Sequence, residues 1–195
     1  MITPYVIKNS EEHLIQSDVR SELLAQRIVY FGDEVNSETC GIAIQCLLYL
    51  AGQSMDKITL VISSPGGECY SGSGLLDTIE LVKAKGITVE TICTGLAASY
   101  GAVLLSAGSK GHRYCLPHST VMVHQPSSGA KGKISDIEID YHEGERLKKQ
   151  LTQILATNCG VTYKKMEQLC DRDTWLSAED AKQLGIIDDI MTTLK

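Results

Sequence analysis

Short apolar runs rich in β-branched residues alternate along the chain with longer stretches in which apolar positions recur every three or four residues. The short runs predict buried strands at Ile28 to Phe31, Ile58 to Ile62, Thr88 to Cys93, His112 to Leu116 and Thr120 to His124. The longer ones predict amphipathic helices near Ser37 to Ala51, Gly74 to Lys85, Tyr100 to Ala107, Ile134 to Thr157, Thr162 to Leu169 and Ala178 to Leu184. That alternation argues an α/β domain. No internal repeat, low-complexity segment or interior linker interrupts it, so residues 19–195 read as a single domain. Residues 1–18 are polar and weakly patterned, and are expected to be mobile unless a partner orders them.

Composition narrows the function classes. A chain of 195 residues has room for a substantial core, and a net charge of −6 without a basic cluster argues against nucleic acid, whose binding requires neutralised phosphates. No apolar run approaches membrane-spanning length, and the N-terminus lacks a basic region followed by an apolar stretch, so a cytoplasmic protein is expected. The seven cysteines are odd in number and scattered through apolar runs, which suits reduced core thiols.

Candidate chemistry begins at Gly95-Leu96-Ala97-Ala98-Ser99-Tyr100-Gly101-Ala102, where a serine flanked by small residues follows a strand-like run and precedes a helix-like one. Such a serine can be an N-cap, or a nucleophile whose substrate carbonyl meets no bulky neighbour and whose oxyanion meets free helix-start amides. The run Ser119 to Pro126 reads as a strand ending at His124, either a packed histidine or a general base for Ser99. An aspartate in the polar turn Asp171-Arg172-Asp173 could fix the imidazole tautomer, and the chain order Ser, His, Asp is no objection, since triads are defined by geometry. The strand Ile58 to Ser64 runs into Pro65-Gly66-Gly67, where Gly67 can present an N–H that, with the N–H of Tyr100, makes a two-donor oxyanion hole. Alone, the Pro-Gly-Gly segment also fits an ordinary turn.

Two weaker patterns carry less. His112, Cys115 and His118 have suggestive spacing for a metal, yet along a strand the two histidines would lie roughly 20 Å apart, and Cys115 would face away from His112. Ser71-Gly72-Ser73-Gly74 lacks the lysine of a phosphate loop and reads as a turn opening the next helix.

Taken together, several blocks resemble the ClpP-type caseinolytic protease subunits: Leu23 to Gly32, Ser64-Pro65-Gly66-Gly67, Gly95 to Ala102, Met122-Val123-His124-Gln125-Pro126, Ser135 to Ile139, and Asp171-Arg172-Asp173 with Leu176 to Glu179. The resemblance runs nearly end to end. It implies a ClpP/crotonase-like fold of repeated strand-strand-helix units with a protruding strand-helix handle at about 125–158. It implies Ser99 as nucleophile, His124 as base, Asp173 as its orienter, and Gly67 and Tyr100 as oxyanion-hole positions. Substrate would lie as an added strand along the backbone of Gly67, Glu68, Cys69, Gln125, Pro126 and Ser127.

By the same resemblance, two seven-membered rings stack through the handles into a barrel with the active sites inside, and Arg172 with Asp171 forms a contact between rings. An ATP-driven AAA+ unfoldase of the ClpX, ClpA or ClpC kind feeds the barrel, while the protease needs no nucleotide, metal or organic cofactor. The handle helix carries an apolar stripe at Ile134, Ile137, Tyr141, Leu147, Leu151 and Ile154, with Gly144 on it, where close approach by another backbone would explain an interior glycine.

Departures from the family pattern cluster away from the chemistry. Aromatic positions of the family's unfoldase-docking cleft are Thr59, Val61 and Leu81 here, the N-terminal stretch lacks its usual tyrosines, and Lys83 to Glu90 holds a short insertion. Loss of aromatic anchors weakens docking, so a divergent paralogue is expected, one that relies on a partner protease ring. The rival readings are a catalytically idle ring subunit and a crotonase-type acyl-CoA enzyme.

Overall fold

The structure is a computed structural model that describes residues 4–9, 14–127, 129 and 131–193. In chain order its elements are β1 (Tyr5–Asn9), β2 (Leu14–Asp18), α1 (Val19–Ala25), β3 (Ile28–Phe31), α2 (Ser37–Gln53), β4 (Ile58–Ser64), α3 (Cys69–Ala84), β5 (Val89–Ala98), α4 (Tyr100–Ser106), β6 (Arg113–Cys115), β7 (Thr120–Val123), α5 (Ile134–Cys159), α6 (Tyr163–Cys170), β8 (Thr174–Leu176), α7 (Ala178–Leu184) and β9 (Asp189–Ile190). The main sheet runs β3-β4-β5-β6-β9, all parallel, while β7 pairs parallel with β5 and antiparallel with β8.

Period-two patterning fixes β4: Ile58, Leu60, Ile62 and Ser64 are buried, and the alternate residues Thr59, Val61 and Ser63 are half-buried on the other face. Against the sheet pack Leu47 of α2, Leu75 and Ile79 of α3, and Leu104 and Leu105 of α4, each fully buried. Each such side chain contributes about 2 kcal/mol of transfer free energy. Helix α4 is buried along its whole length, as a helix apolar on every side must be.

Strand β5 serves two neighbours in succession. Thr91 to Cys93 pair with β6, and Leu96 to Ala98 with β7. Gly95 turns the chain between the two halves at φ +81°, and the buried Ser119 hydroxyl repairs the break by accepting from the Gly95 N–H at 3.0 Å and donating to the Cys93 carbonyl at 2.9 Å. Arg113, 1% exposed, ties four segments together: its Nε and Nη2 bind Asp188 at 2.9 and 2.7 Å, and its Nη1 donates to the carbonyls of Asn158 and Ser106.

Some elements differ from the sequence expectation. Helix α3 starts at Cys69, so Ser71 to Gly74 are helical rather than a turn. Where residues 1–18 suggested no element, β1 and β2 pair as an antiparallel hairpin, Tyr5 opposite Asp18, and Asp18 then caps α1 by accepting from the Ser21 N–H. Of the expected mobile stretch, residues 1–3 and 10–13 lie outside the described residues, as do Ser128 and Ala130 before the handle helix. Burial in α5 is confined to Leu151, Thr152, Leu155, Ala156 and Cys159, while Ile134, Ile139 and Tyr141 are 81%, 67% and 61% exposed. The N-terminal half of that helix therefore carries apolar residues that its own chain does not cover. Among the described residues, no helix is long and apolar enough to cross a membrane.

Candidate active site

Ser99 is the single residue between the end of β5 and the start of α4. Its backbone sits at φ 54°, ψ −121°, a conformation that L-residues avoid at a cost of about 1–3 kcal/mol. Surrounding bonds hold it there: the Ser99 N–H donates to the Met122 carbonyl of β7 at 2.8 Å, and the Ala102 N–H donates to the Ser99 carbonyl at 3.0 Å. Small neighbours make the turn possible, since a Cβ on Gly101 would come within 3.0 Å of the Ser64 carbonyl oxygen. The strain presents the half-buried hydroxyl to an open cleft.

His124 follows β7, and its Nε2 lies 2.8 Å from Ser99 Oγ. Its Nδ1 lies 3.3 Å from Asp173 Oδ1, the imidazole being 22% and the carboxylate 62% exposed. Strand register explains the meeting. β7 and β8 pair with Val123 opposite Thr174, so one step further sets position 124 opposite 173. Gln125 fastens the same junction, its N–H donating to the Cys170 carbonyl at 2.7 Å and its Nε2 to the Asp171 carbonyl at 2.9 Å. An Nδ1–H directed at Asp173 leaves the Nε2 lone pair facing the serine hydroxyl, the tautomer a general base needs.

The Pro-Gly-Gly segment is clamped from two sides. A Cβ on Gly66, at φ +89°, would fall 2.6 Å from Ser99 Cβ and 2.9 Å from the Tyr100 nitrogen, and one on Gly67 would overlap the Val35 carbonyl. Val35 bridges the segment by donating to the Gly66 carbonyl and accepting from the Glu68 N–H, both at 2.8 Å, a pattern that leaves the Gly67 N–H out. The Tyr100 N–H is likewise without an intrahelical acceptor, being at the first position of α4. Gly67, Ser99, Tyr100 and His124 line one cleft of about 70 Å³, whose apolar wall comes from Val103, Val123, Leu151 and Leu155. Two thiols also line it, but burial pushes Cys69 up from its ordinary pKa and Cys170 up to about 11, so both stay protonated and poorly nucleophilic near neutrality.

The other residues singled out in the sequence fall as follows. The N–H groups of Glu68 and Gln125 donate to the Val35 and Cys170 carbonyls, and the Glu68 carbonyl accepts from the Gly72 N–H at 3.0 Å. Cys69 and Pro126 line the cleft beside Ser127. Arg172 is 93% exposed, its Nε 3.8 Å from Asp171 Oδ2. Thr59 and Val61 are half-buried and Leu81 is exposed. The Thr59 hydroxyl donates to Glu90, which also binds Lys57 at 2.8 Å, so at one of the three positions where the resemblance implies an aromatic docking residue a polar contact stands instead. Cys115 is buried opposite Cys93 while His112 approaches Glu90 at 4.0 Å, and among the described residues no three metal-ligating side chains converge. The sequence assigns no role to Val35, and names Gly66 only as part of the Pro-Gly-Gly segment. The adjacent glycines were the available signal for Gly66, whereas Val35 gives none.

A serine on a strained turn, an imidazole on its hydroxyl, a carboxylate behind the imidazole and two unsatisfied amides beside them form the constellation of a serine hydrolase. The family model described as Clp protease matches residues 10–194. Proteins named ATP-dependent Clp protease proteolytic subunit, from Bacteroides fragilis and Bacteroides thetaiotaomicron, are 42% identical over 97% of this chain and 91% and 86% of their own lengths. A protein named ATP-dependent Clp protease proteolytic subunit 1, from Salinibacter ruber, is 42% identical over 97% of this chain and 81% of its own. The chain belongs to the Clp protease family and is a serine-type peptidase subunit of that family.

Proposed function

We propose that Ser99, His124 and Asp173 cleave peptide bonds in unfolded polypeptides and short peptides, with Gly67 and Tyr100 as the oxyanion donors. The supporting observation is the alignment of the three side chains: Ser99 Oγ is hydrogen-bonded to His124 Nε2 at 2.8 Å, and Asp173 Oδ1 lies 3.3 Å from Nδ1 on the other side of the same ring. Ser99 Oγ attacks the carbonyl carbon as its proton passes to His124 Nε2, and Asp173 stabilises the imidazolium so formed. Charge on the carbonyl oxygen is met by the two main-chain amides, an arrangement worth several kcal/mol in the transition state. Collapse expels the amine, protonated by His124, and leaves an acyl-enzyme. A water molecule, deprotonated by the same imidazole, then releases the acid and restores Ser99. The apolar wall of the cleft favours an apolar side chain next to the scissile bond.

The relatives' names support an ATP-driven unfoldase as partner for folded substrates, peptide hydrolysis itself needing no nucleotide. The uncovered apolar half of α5 supports the handle role, and with it stacked rings that meet near Arg172 and Asp171. A site enclosed in a barrel in the cytoplasm excludes folded proteins, which a shallow cleft could not do by itself. Docking of the unfoldase is weakened by Thr59, Val61 and Leu81, so a standard Clp unfoldase should stimulate degradation only partly, and full stimulation of the isolated protein contradicts this point. An idle subunit or an acyl-CoA enzyme has no need of all three reactive side chains together.

The test is ATP-free hydrolysis of a short fluorogenic peptide by the purified protein, with particle mass measured in parallel. Turnover by the wild type that disappears in Ser99→Ala at unchanged mass is expected, and equal rates in the two proteins overturn the reading.

A further inference from the structure

Tyr100 does more than supply an amide. Its ring is 2% exposed, packed against α3 at Gly72, where any Cβ would overlap the ring carbons. Its hydroxyl lies 2.9 Å from Ser73 Oγ, one residue further along the same helix. Burial pushes the phenol up to about 12, with the Ser73 hydrogen bond opposing, so the group stays neutral through the working range. The two elements joined in this way each carry one half of the oxyanion hole: α4 begins with the Tyr100 N–H, and α3 begins two residues after Gly67. Gly67 is a solvent-exposed residue at φ +149°, in a segment held on its other side by the Val35 bridge.

We infer that the Tyr100 side chain is a positioning residue for the reaction, its hydroxyl locked to Ser73 and its ring seated on Gly72 so that α3 holds the Gly67 amide in register with the Ser99 turn. The inference rests on the assignment of Ser99 and the two amides given above. Its physical basis is that an oxyanion donor acts only where the charge develops, so that a displacement of about 1 Å costs on the order of a hundred-fold in rate. The lock spans the two helices at the point where such a displacement would begin. It acts on the transition state and leaves the apolar wall that holds the substrate side chain intact.

Tyr100→Phe and Ser73→Ala test it in the full-length assembled protein, with Ser99→Ala as control. Each variant should lower kcat about ten-fold at nearly constant KM, and lower the rate of covalent labelling by a fluorophosphonate in step. The double variant should be no slower than either single one, because both remove the same contact. Ser73→Thr, which keeps a hydroxyl, should retain activity. Gly72→Ala, whose Cβ displaces the ring, should lose more than either, but the two hydroxyl deletions decide the matter because they remove no packing volume from the core. The inference is overturned if both leave kcat within two-fold of wild type, if the loss falls on KM alone, or if the two losses multiply. Activity persisting in Ser99→Ala would instead remove the underlying assignment, so the two failures are distinguishable.

Discussion

Ser99 is held in a backbone conformation that its own side chain disfavours, and the neighbours that enforce it are the Met122 carbonyl and glycines 66 and 101. Reactivity at this scale depends on orientation: His124 has its carboxylate partner 3.3 Å away, in a position 62% exposed to water. Asp173→Asn keeps the shape and removes the charge that fixes the tautomer. We expect kcat to fall about a hundred-fold with KM unchanged in steady-state peptide hydrolysis, less than the roughly 10^4-fold loss at a buried triad aspartate, because solvent already screens this carboxylate. A loss confined to KM would assign Asp173 to substrate binding. Ser99 and His124 draw attention in the sequence because each stands at the end of an apolar run, where strand pattern gives way to helix or turn, whereas Asp173 lies in a polar turn beside Asp171 and is singled out by the family resemblance alone. The Tyr100–Ser73 contact is not legible there, since a partly buried hydroxyl pair across two helices leaves no periodic trace.

At the scale of elements, the antiparallel pairing of β7 with β8 brings His124 to Asp173. Strand β8 is three residues long, and together with β9 it escaped the sequence reading, because so short a run cannot show a period of two. The longer elements were legible: β3 and α7 fall on their expected bounds, and α2 and α5 end two residues later than expected. The start of α3 was missed because Gly72 and Gly74 look like turn residues, whereas Gly72 is there to admit the Tyr100 ring. Invisible too was the long-range pair Arg113–Asp188, which anchors β6 to the turn before β9. Burial raises the Asp188 carboxyl, but the Arg113 hydrogen bonds and charge outweigh it and hold the group at about 2, below the usual 3.8. The pair therefore stabilises the fold fully above about pH 4, and the contribution is lost as pH falls toward 2. Asp188→Asn, which strands a buried guanidinium, should cost about 3 kcal/mol near neutrality. The gap in thermal stability between variant and wild type should narrow as pH falls from 4 to 2. A gap that stays constant over that interval would show that the charge of Asp188 is not what stabilises.

For the whole molecule, the proposed stacking of rings through α5 makes its exposed apolar residues the contact to test. Ile139 is 67% exposed, far from the buried C-terminal turns of the helix. Ile139→Asp should leave the monomer fold intact, judged by circular dichroism, and reduce the particle mass in sedimentation to that of half the barrel; a full-mass particle would remove the first half of α5 from the ring contact. All of this serves one chemical event at one hydroxyl, and the most direct test is covalent. Incubation of the purified particle with a fluorophosphonate, followed by peptide mass mapping, should place a single adduct on Ser99, with labelling lost in His124→Ala and peptide hydrolysis falling in proportion to occupancy. An adduct elsewhere, or an unlabelled Ser99 in a particle that still hydrolyses peptide, would contradict the account.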